Sequence, residues 1–307
     1  MLTEPMDILS QHPIRKTKLQ KQAFRESVQS YLTQLDYQLH VEEGKLGVRN
    51  LVLGDPEKAK YLVTAHYDTP AAMPFPNFIT PCNFLPYFVY QLLVIVLFFA
   101  IALVVGIVAT AINDTFWFVW TVCYVSIIGL MLLMLLGPAN RNNANDNTSG
   151  VVTVLEIARS LPENRRDQVC FVLFDLEEAG LLGSAAFRKA HKNATEKQIV
   201  LNLDCVGDGD EILFFPNKKL IKDHGKMTWL CQSVGHYGKK SIAVRNKGFR
   251  YYPSDQKNFP YGVGIAAFRK KKLLGHYCSR IHTKKDTILE TTNVNILRAA
   301  LTTLICQ

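Results

Sequence analysis

Short apolar runs that end in histidine or a carboxylate are the feature that most restricts the fold of this sequence. Three such runs are followed at once by His66, by the pair Glu177 and Glu178, and by Asp204. Aliphatic and β-branched runs without a polar face are typical of buried strands in a parallel sheet. The carboxyl ends of parallel strands share one edge, so side chains far apart in sequence can meet there. We therefore predict an α/β fold, with a mainly parallel sheet, helices on both faces and a polar cluster at one edge.

Two further residues, Asp146 and His282, complete a set of the types that hold zinc. A carboxylate between two ions offsets their repulsion. Asp146 lies in a polar loop before a helix-like stretch and is the natural bridge. The predicted cofactors are two zinc ions, with other divalent metals as alternatives. The predicted metal ligands are His66, Asp146, Glu178, Asp204 and His282.

Glu177 and Asp68 are the catalytic candidates outside the metal ligands. Asp68 follows His66 by two positions and could accept the second N–H of its imidazole, which would fix the tautomer. Glu177 would then be free to take a proton from water and to pass it to a leaving amine.

Five motifs carry a resemblance to a known family. They occur in the family's order, from about residue 25 to the C-terminus apart from one insertion, and the chain resembles the M28 metallopeptidases, the co-catalytic zinc aminopeptidases. The motifs are His66-Tyr-Asp68-Thr, Asp146-Asn-Thr-Ser-Gly150, Glu177-Glu178-Ala-Gly-Leu-Leu-Gly-Ser184, Asn202-Leu-Asp204-Cys-Val-Gly207 and Ile281-His282-Thr-Lys-Lys-Asp286-Thr.

The resemblance implies a zinc peptidase that hydrolyses N-terminal peptide bonds through a water activated by two metals. It implies Glu177 as the general acid and base and a cis peptide bond between Asp146 and Asn147. It also assigns the ligands: His66 and Asp204 to one zinc, Glu178 and His282 to the other, and Asp146 to both.

The sequence departs from the family at two positions. In Ser254-Asp255-Gln256-Lys-Asn-Phe259, which is similar to a family segment that lines the pocket, Gln256 stands where histidine is usual. In the strand that follows, Ala266 stands where proline is common. These departures affect substrate selection and packing and leave the metal set intact.

Each motif has an ordinary structural explanation when it stands alone. A Glu-Glu pair at a helix start complements the helix dipole, and Asp-Asn-Thr-Ser-Gly reads as a turn with an N-cap. Two functional alternatives also stay open. One is a single-zinc, glutaminyl-cyclase-like acyltransferase, which metal stoichiometry would identify. The other is a non-catalytic scaffold or receptor on the same fold, although such proteins usually lose ligands.

Two long apolar runs, Phe84–Ile112 and Phe116–Leu136, interrupt the resemblance. Each exceeds the roughly 20 helical residues that cross a bilayer. Gln91 is the only strongly polar residue of the first run. We predict a transmembrane helical hairpin that turns at Asn113-Asp114-Thr115. The predicted organisation is a first part of the peptidase domain at 1–83, the hairpin insertion at 84–136, and the remainder of the peptidase domain at 137–307.

Charge distribution predicts the orientation of this hairpin. The chain carries 35 Lys and Arg against 26 Asp and Glu, a net charge of +9, yet positions 61–140 contain no Lys or Arg. Cytoplasmic flanks are enriched in Lys and Arg, and basic surfaces are attracted to anionic lipid. The excess of basic residues is not accompanied by a nucleic-acid-binding motif, so we predict no nucleic-acid partner.

The seven cysteines include no Cys-x-x-Cys and no disulfide-like cluster, which favours a reducing compartment. Residues 1–31 are polar and charged and do not predict a signal peptide, and residues 1–15 are expected to be loosely ordered. We predict a membrane protein with two helices and a cytoplasmic catalytic domain. Its predicted partners are peptide substrates near the bilayer and membrane lipid; the sequence does not predict an oligomeric state.

Overall fold

The structure is a computed structural model that describes residues 2–35 and 37–307. Its strands are β1 (Leu39–Glu43), β2 (Arg49–Leu53), β3 (Tyr61–His66), β4 (Val169–Phe174), β5 (Ile199–Leu203), β6 (Glu211–Pro216), β7 (Gly235–Tyr237), β8 (Lys240–Val244), β9 (Tyr261–Lys271) and β10 (Gly275–Tyr277). Its helices are α1 (Ile8–Gln11), α2 (Lys18–Thr33), α3 (Phe84–Ile112), α4 (Phe116–Leu136), α5 (Gly150–Ser160), α6 (Leu182–Ala190), α7 (Lys192–Thr195), α8 (Lys218–Lys222), α9 (His224–Cys231) and α10 (Thr291–Cys306).

The described strands form one sheet in the order β1-β2-β4-β3-β5-β9-β6-β8-β7, with β10 paired to β9. Its centre, β4-β3-β5-β9, is parallel throughout. Antiparallel pairs flank this centre, including the hairpin of β1 and β2. The predicted α/β class with a parallel centre is confirmed, and the parallel centre brings the carboxyl ends of β3, β4 and β5 to one edge.

Successive side chains of the central strands point to opposite faces of the sheet, and both sets are apolar. Helices therefore cover both faces of the sheet. Val63 and Phe171 face one side, where they join a buried cluster with residues of α2, α5 and α10. Leu62 and Val172 face the other side and pack in a cluster with Phe187 of α6. Full burial of such a side chain stabilises the fold by about 1.5–3 kcal/mol. Strands buried on both faces have to be apolar throughout, as these runs are.

The N-terminal segment is well packed within residues 2–15, so the expectation of loose order was wrong for these positions. Leu2 and Ile8 are buried in the core. Arg15 is also fully buried and donates hydrogen bonds to the carbonyl oxygen of Tyr67 and the hydroxyl of Thr148. These contacts join residues that are distant in sequence, so the local sequence of residues 2–15 does not predict them.

The helices α3 and α4 begin and end where the two apolar runs predicted. Both are long and apolar enough to cross a membrane, by length and composition only. They contact each other through small side chains of α3, because Ala102, Gly106 and Ala109 are its buried residues. All of α4 is described and none of its residues is buried. The hairpin therefore presents large apolar side chains outward.

Candidate metal centre

Three parallel strands deliver side chains to the same edge of the sheet. His66 is the last residue of β3, and Asp204 follows the end of β5. The turn after β4 carries Glu177 and Glu178. Asp146 and His282 come from loops that close over this edge. Ligand atoms of His66, Asp146 and Asp204 lie within 4.8 Å of one another, as do those of Asp146, Glu178 and His282.

Asp146 belongs to both groups through its two carboxylate oxygens. Oδ1 lies 3.4 Å from His66 Nε2, which is also 3.6 Å from Asp204 Oδ1. Oδ2 lies 3.1 Å from His282 Nε2, which is also 3.6 Å from Glu178 Oε2. The arrangement divides the five predicted ligands into two sets that share one carboxylate.

Glu177 lies beside this pair of sets. Its carboxylate, a ring nitrogen of His66 and a carboxylate oxygen of Glu178 are within 4.8 Å of one another. The other two residues of this third group, His66 and Glu178, already belong to the two groups around Asp146. Those two groups have only Asp146 in common. Glu177 therefore lies next to the two sets and is not needed to complete either of them.

Asp286 holds the loop that carries Asp146. Its two carboxylate oxygens accept the backbone N–H groups of Asn145 and Asp146, at 2.9 and 3.0 Å. The Asn147 side chain donates to the carbonyl oxygen of Leu203 at the end of β5, at 2.9 Å. The peptide bond between Asp146 and Asn147 is cis, as the family resemblance implies.

Asp68 holds the turn that carries the glutamates. Its carboxylate accepts the backbone N–H groups of Glu177 at 3.0 Å and Glu178 at 3.2 Å. The predicted contact with His66 is longer, because Asp68 Oδ1 lies 3.5 Å from His66 Nδ1. In this structure the stronger contacts of Asp68 are with the glutamate turn.

Left-handed backbone conformations occur at one candidate residue and next to two others. Leu176 has φ 55° immediately before Glu177, and Cys205 has φ 57° immediately after Asp204. His282 itself has φ 64°. Residues other than glycine rarely adopt this region, and such strained positions cluster at functional sites. Sequence patterns give no signal for these conformations.

Buried carboxylates outnumber the histidines here, and the pKa values reflect that excess. Burial raises the pKa of Glu177 well above its usual range, and the Glu178 carboxylate adds to the effect while His66 opposes it. Burial and the Asp146 carboxylate raise the pKa of Glu178 in the same way. Burial opposes a charge on His66, but the surrounding carboxylates, led by Glu177, outweigh it and raise the pKa of His66. Two divalent cations would neutralise this excess of negative charge.

The donor set fits zinc. Two ligands about 2.0–2.1 Å from one tetrahedral ion lie about 3.3 Å apart, close to the nitrogen–oxygen distances of 3.1–3.6 Å around Asp146. Among the residues that the structure describes, Glu178 Oε1 and Asp204 Oδ1 are buried without a hydrogen-bond partner. Buried polar atoms are normally paired, so an ion is a fitting partner for this cluster.

Asp255 is a buried carboxylate near Glu177 that the predicted metal and catalytic set did not include. It is fully buried, and neither carboxylate oxygen has a hydrogen-bond partner among residues 2–35 and 37–307. Burial raises its pKa to about 7. The neighbouring Gln256 is buried as well, and its amide contacts Asn202 and the carbonyl oxygen of Tyr252. The buried side chain of Gln256 therefore links Asn202 of β5 to the segment that contains Tyr252.

Comparison with known proteins agrees with this geometry. Residues 132–304 match the model of Peptidase family M28, which is more than half of the 307-residue chain. The match begins inside α4, so His66 and Asp68 lie outside it, and the structure rather than the family match places them at the site.

Two solved structures resemble the fold. The Legionella pneumophila LapA aminopeptidase aligns with a TM-score of 0.57 at 14% identity, over 98% of this chain and 68% of that chain. Macrostomum lignano glutaminyl cyclase aligns with a TM-score of 0.56 at 12% identity, over 98% of this chain and 88% of that chain. At these identities the likeness concerns the fold alone. With the family match over more than half its length and a zinc-compatible donor set at the sheet edge, the chain belongs to peptidase family M28 and is a metallopeptidase.

Proposed function

We propose that this chain is a two-zinc aminopeptidase anchored to a membrane by its helical hairpin. The observation that carries the first half of the proposal is the sharing of Asp146 between two histidine–carboxylate sets. In the proposed assignment, His66 and Asp204 hold one ion, Glu178 and His282 hold the other, and Asp146 bridges them. Peptide substrates follow from the family, and the preference for a free N-terminus rests on the resemblance.

The chemistry requires a polarised carbonyl group and a mobile proton. Zinc ions bound at this site would polarise the scissile carbonyl and lower the pKa of water. Glu177 would accept the proton of the attacking water and donate it to the leaving amine. Asp68 would hold Glu177 in place through its backbone N–H, and Asp286 would hold Asp146 in the same manner.

A substitution at Glu177 tests its proposed role. Glu177→Gln keeps the size of the side chain and removes its ability to carry a proton. We expect a loss of about 10²–10⁴-fold in kcat, which is the usual contribution of general acid–base catalysis, with zinc content unchanged. Glu163→Gln, at an exposed position, is the matched control. Turnover at the wild-type rate in Glu177→Gln would refute the assignment.

Metal analysis separates the two-zinc proposal from the single-zinc alternative. The purified protein should bind two zinc ions per chain and should hydrolyse aminoacyl substrates but not N-blocked ones. The glutaminyl-cyclase alternative predicts one zinc ion and cyclisation of peptides with N-terminal glutamine. The similar TM-scores of the two solved structures, 0.57 and 0.56, do not separate these functions.

The membrane anchor is supported by exposure along the hairpin. Leu103 of α3 is 65% exposed, and Trp117 and Leu136 of α4 are 72% and 69% exposed. A core helix of a soluble protein would bury such side chains, since exposed apolar surface of this extent is rare outside interaction sites. Hydrocarbon on all sides is the environment that suits an apolar helix pair without a polar face.

Fractionation of cells tests the anchor. The chain should stay with membranes after washing at high salt and alkaline pH and should dissolve only in detergent. Recovery of folded, zinc-loaded chain in the soluble fraction would contradict the anchor and leave the peptidase assignment untouched.

A further inference from the structure

A cavity of about 330 Å³ lies between the candidate metal centre and the hairpin. Glu178 and His282 line one side of it. Gln91 and Val94 of α3, and Met131 and Met134 of α4, also line it. The volume is at the lower end of the range of about 300–1,000 Å³ that is usual for small-molecule pockets.

The hairpin side of this cavity is apolar and adaptable. Val94 offers a small branched surface, and the two methionines have long, flexible thioether chains that fit varied apolar groups. A substrate carbonyl held near Glu178 and His282 would bring its adjacent side chain against this wall. The cavity is therefore suited to a single apolar side chain next to the bond that is cleaved.

Gln91 adds a carboxamide group to the same wall. It is the only amide or charged side chain in α3, and it lines the cavity. Its carboxamide forms no hydrogen bond within the part of the chain that the structure describes. Polar residues in membrane-spanning segments usually face a cavity and serve a function. A carboxamide can both donate to and accept from a peptide main chain.

We infer that the hairpin forms one wall of the substrate pocket and selects peptides whose N-terminal residue has a large apolar side chain, with Gln91 binding the substrate main chain. This inference rests on the proposed aminopeptidase function and names its substrate class. The hairpin thus acts as a specificity element as well as an anchor.

The position of the wall determines where such substrates meet the enzyme. Gln91 and Val94 lie seven and ten residues after Phe84, where α3 begins. At 1.5 Å per residue, these positions lie about 10–15 Å along the helix. In a spanning hairpin this is the end of α3 that adjoins the catalytic domain, so an apolar N-terminal residue can reach the cavity from that side.

Aminoacyl-coumarin substrates with Gly, Ala, Leu and Phe test the inference on the full chain in nanodiscs loaded with zinc. The wild type should favour Leu over Ala by about tenfold or more in kcat/KM, since each added methylene in an apolar pocket is worth roughly tenfold or more. Val94→Trp should fill the cavity and lower the Leu-to-Ala ratio by about tenfold. Val96→Trp, at an exposed position of α3 outside the cavity, should leave both rates unchanged.

Two further variants give independent readouts. Met134→Ala enlarges the cavity and should shift the preference from Leu towards Phe. Gln91→Leu should raise KM for all four substrates with little change in kcat, as expected when binding is lost equally from ground state and transition state.

The outcomes separate the inference from the proposed function. If the zinc-loaded wild type hydrolyses none of the substrates, the aminopeptidase proposal fails. If the wild type is active but does not favour Leu over Ala, the inference is overturned. It is also overturned if Val94→Trp and Met134→Ala both keep the wild-type ratios with normal zinc content. Should one of them fail to fold, the ratio measured with the other decides.

Discussion

At the scale of single residues, each carboxylate oxygen of Asp146 faces one of the two histidine–carboxylate sets. Two other carboxylates, Asp286 and Asp68, hold the segments that carry the ligands. Asp286 acts on Asp146 through two backbone N–H groups, and Asp68 acts on the glutamate turn in the same way. Carboxylates that accept backbone N–H groups orient a loop without touching the substrate. Loss of such a carboxylate should therefore lower metal affinity more than it lowers kcat of the metal-loaded enzyme.

Asp286→Asn tests this positioning role. Asparagine offers one oxygen where Asp286 offers two, and its NH₂ group would face a backbone N–H. We expect zinc affinity to fall by about 10–100-fold, the usual effect of losing a group that orients a metal ligand, while kcat of fully loaded enzyme changes much less. Competition with a chelator measures the affinity, and Asp167→Asn, at an exposed position, is the control. Unchanged zinc affinity in Asp286→Asn would contradict the role.

The convergence of His66, Glu177, Glu178 and Asp204 was predictable because strand-ending positions in a parallel sheet share an edge. His66 and Asp204 follow this rule directly. The burial of Arg15 could not be predicted in this way, because three of the four hydrogen-bonding partners of its guanidinium lie far away in sequence. Asp255 lies in a segment similar to one that lines the pocket in the family, but its burial depends on how the short turn Asp255–Asn258 packs against β9. Burial of a charged side chain is decided by tertiary structure, which sequence patterns do not encode locally.

At the scale of elements, the hairpin is held together by the small residues of α3. Ala102, Gly106 and Ala109 lie on one face and permit close approach of α4, in the manner of small-residue motifs of membrane helices. A Cβ atom at Gly106 would lie 2.7 Å from Cys123 Sγ, whereas one at Gly129 would meet nothing within 4 Å. These two glycines make a matched pair for substitution.

Gly106→Leu should separate the helices and lower the thermal unfolding midpoint of the detergent-solubilised chain. Overpacking of this kind costs roughly 1–3 kcal/mol. Gly129→Leu adds the same side chain to open space and should leave the midpoint close to that of the wild type. Equal effects of the two substitutions would show that packing at Gly106 does not hold the hairpin together.

A second element-scale contact joins the end of α6 to the sheet edge through His191. Its Nδ1 lies 2.6 Å from Glu57 Oε1, and its Nε2 lies 3.0 Å from Glu42 Oε2. Burial opposes a charge on the imidazole, but the hydrogen bonds with both glutamates outweigh it and raise the pKa of His191 above its ordinary value. A raised pKa in the folded state means that folding favours the protonated imidazole.

The stabilisation from His191 should therefore depend on pH in a defined direction. It is fully present below the unfolded-state pKa of about 6.5 and is lost as pH rises through the higher folded-state value. His191→Gln should lower the unfolding midpoint more at pH 6 than at pH 9, while His236→Gln, at an exposed position, should have little effect at either. A difference that stays constant or grows with pH would count against the ion-pair role.

The boundaries of the helices were more predictable than the order of the strands. The limits of α3 and α4 follow from composition alone, because an uninterrupted apolar run ends where polar residues begin. The antiparallel pairing of β6 with β9 and the attachment of β10 depend on contacts between distant segments. The same holds for Gln91, whose polarity was evident in the sequence but whose place on a cavity was not.

At the scale of the whole molecule, basic residues gather on the catalytic side of the hairpin. Positions 61–140 contain no Lys or Arg, and Arg141 follows the second helix closely. Lys16 donates a hydrogen bond to the carbonyl oxygen of Leu135 near the C-terminal end of α4. A positive charge at this end interacts favourably with the helix dipole. The Lys and Arg bias of flanking segments sets the orientation of membrane helices. We therefore expect the catalytic domain to lie in the cytoplasm and the turn at Asp114 to lie on the opposite side.

Cysteine labelling of intact cells measures this orientation. Cys231 is exposed and lies outside the hairpin, so a membrane-impermeant maleimide should reach it only after the membrane is permeabilised. A cysteine introduced by Asp114→Cys in the turn should be labelled without permeabilisation, and Cys231→Ser identifies the signal from that site. Labelling of Cys231 in intact cells, with the turn cysteine protected, would reverse the orientation. That result would move the cavity between α3, α4 and the metal centre to the outer surface, and peptides outside the cell would then become its substrates.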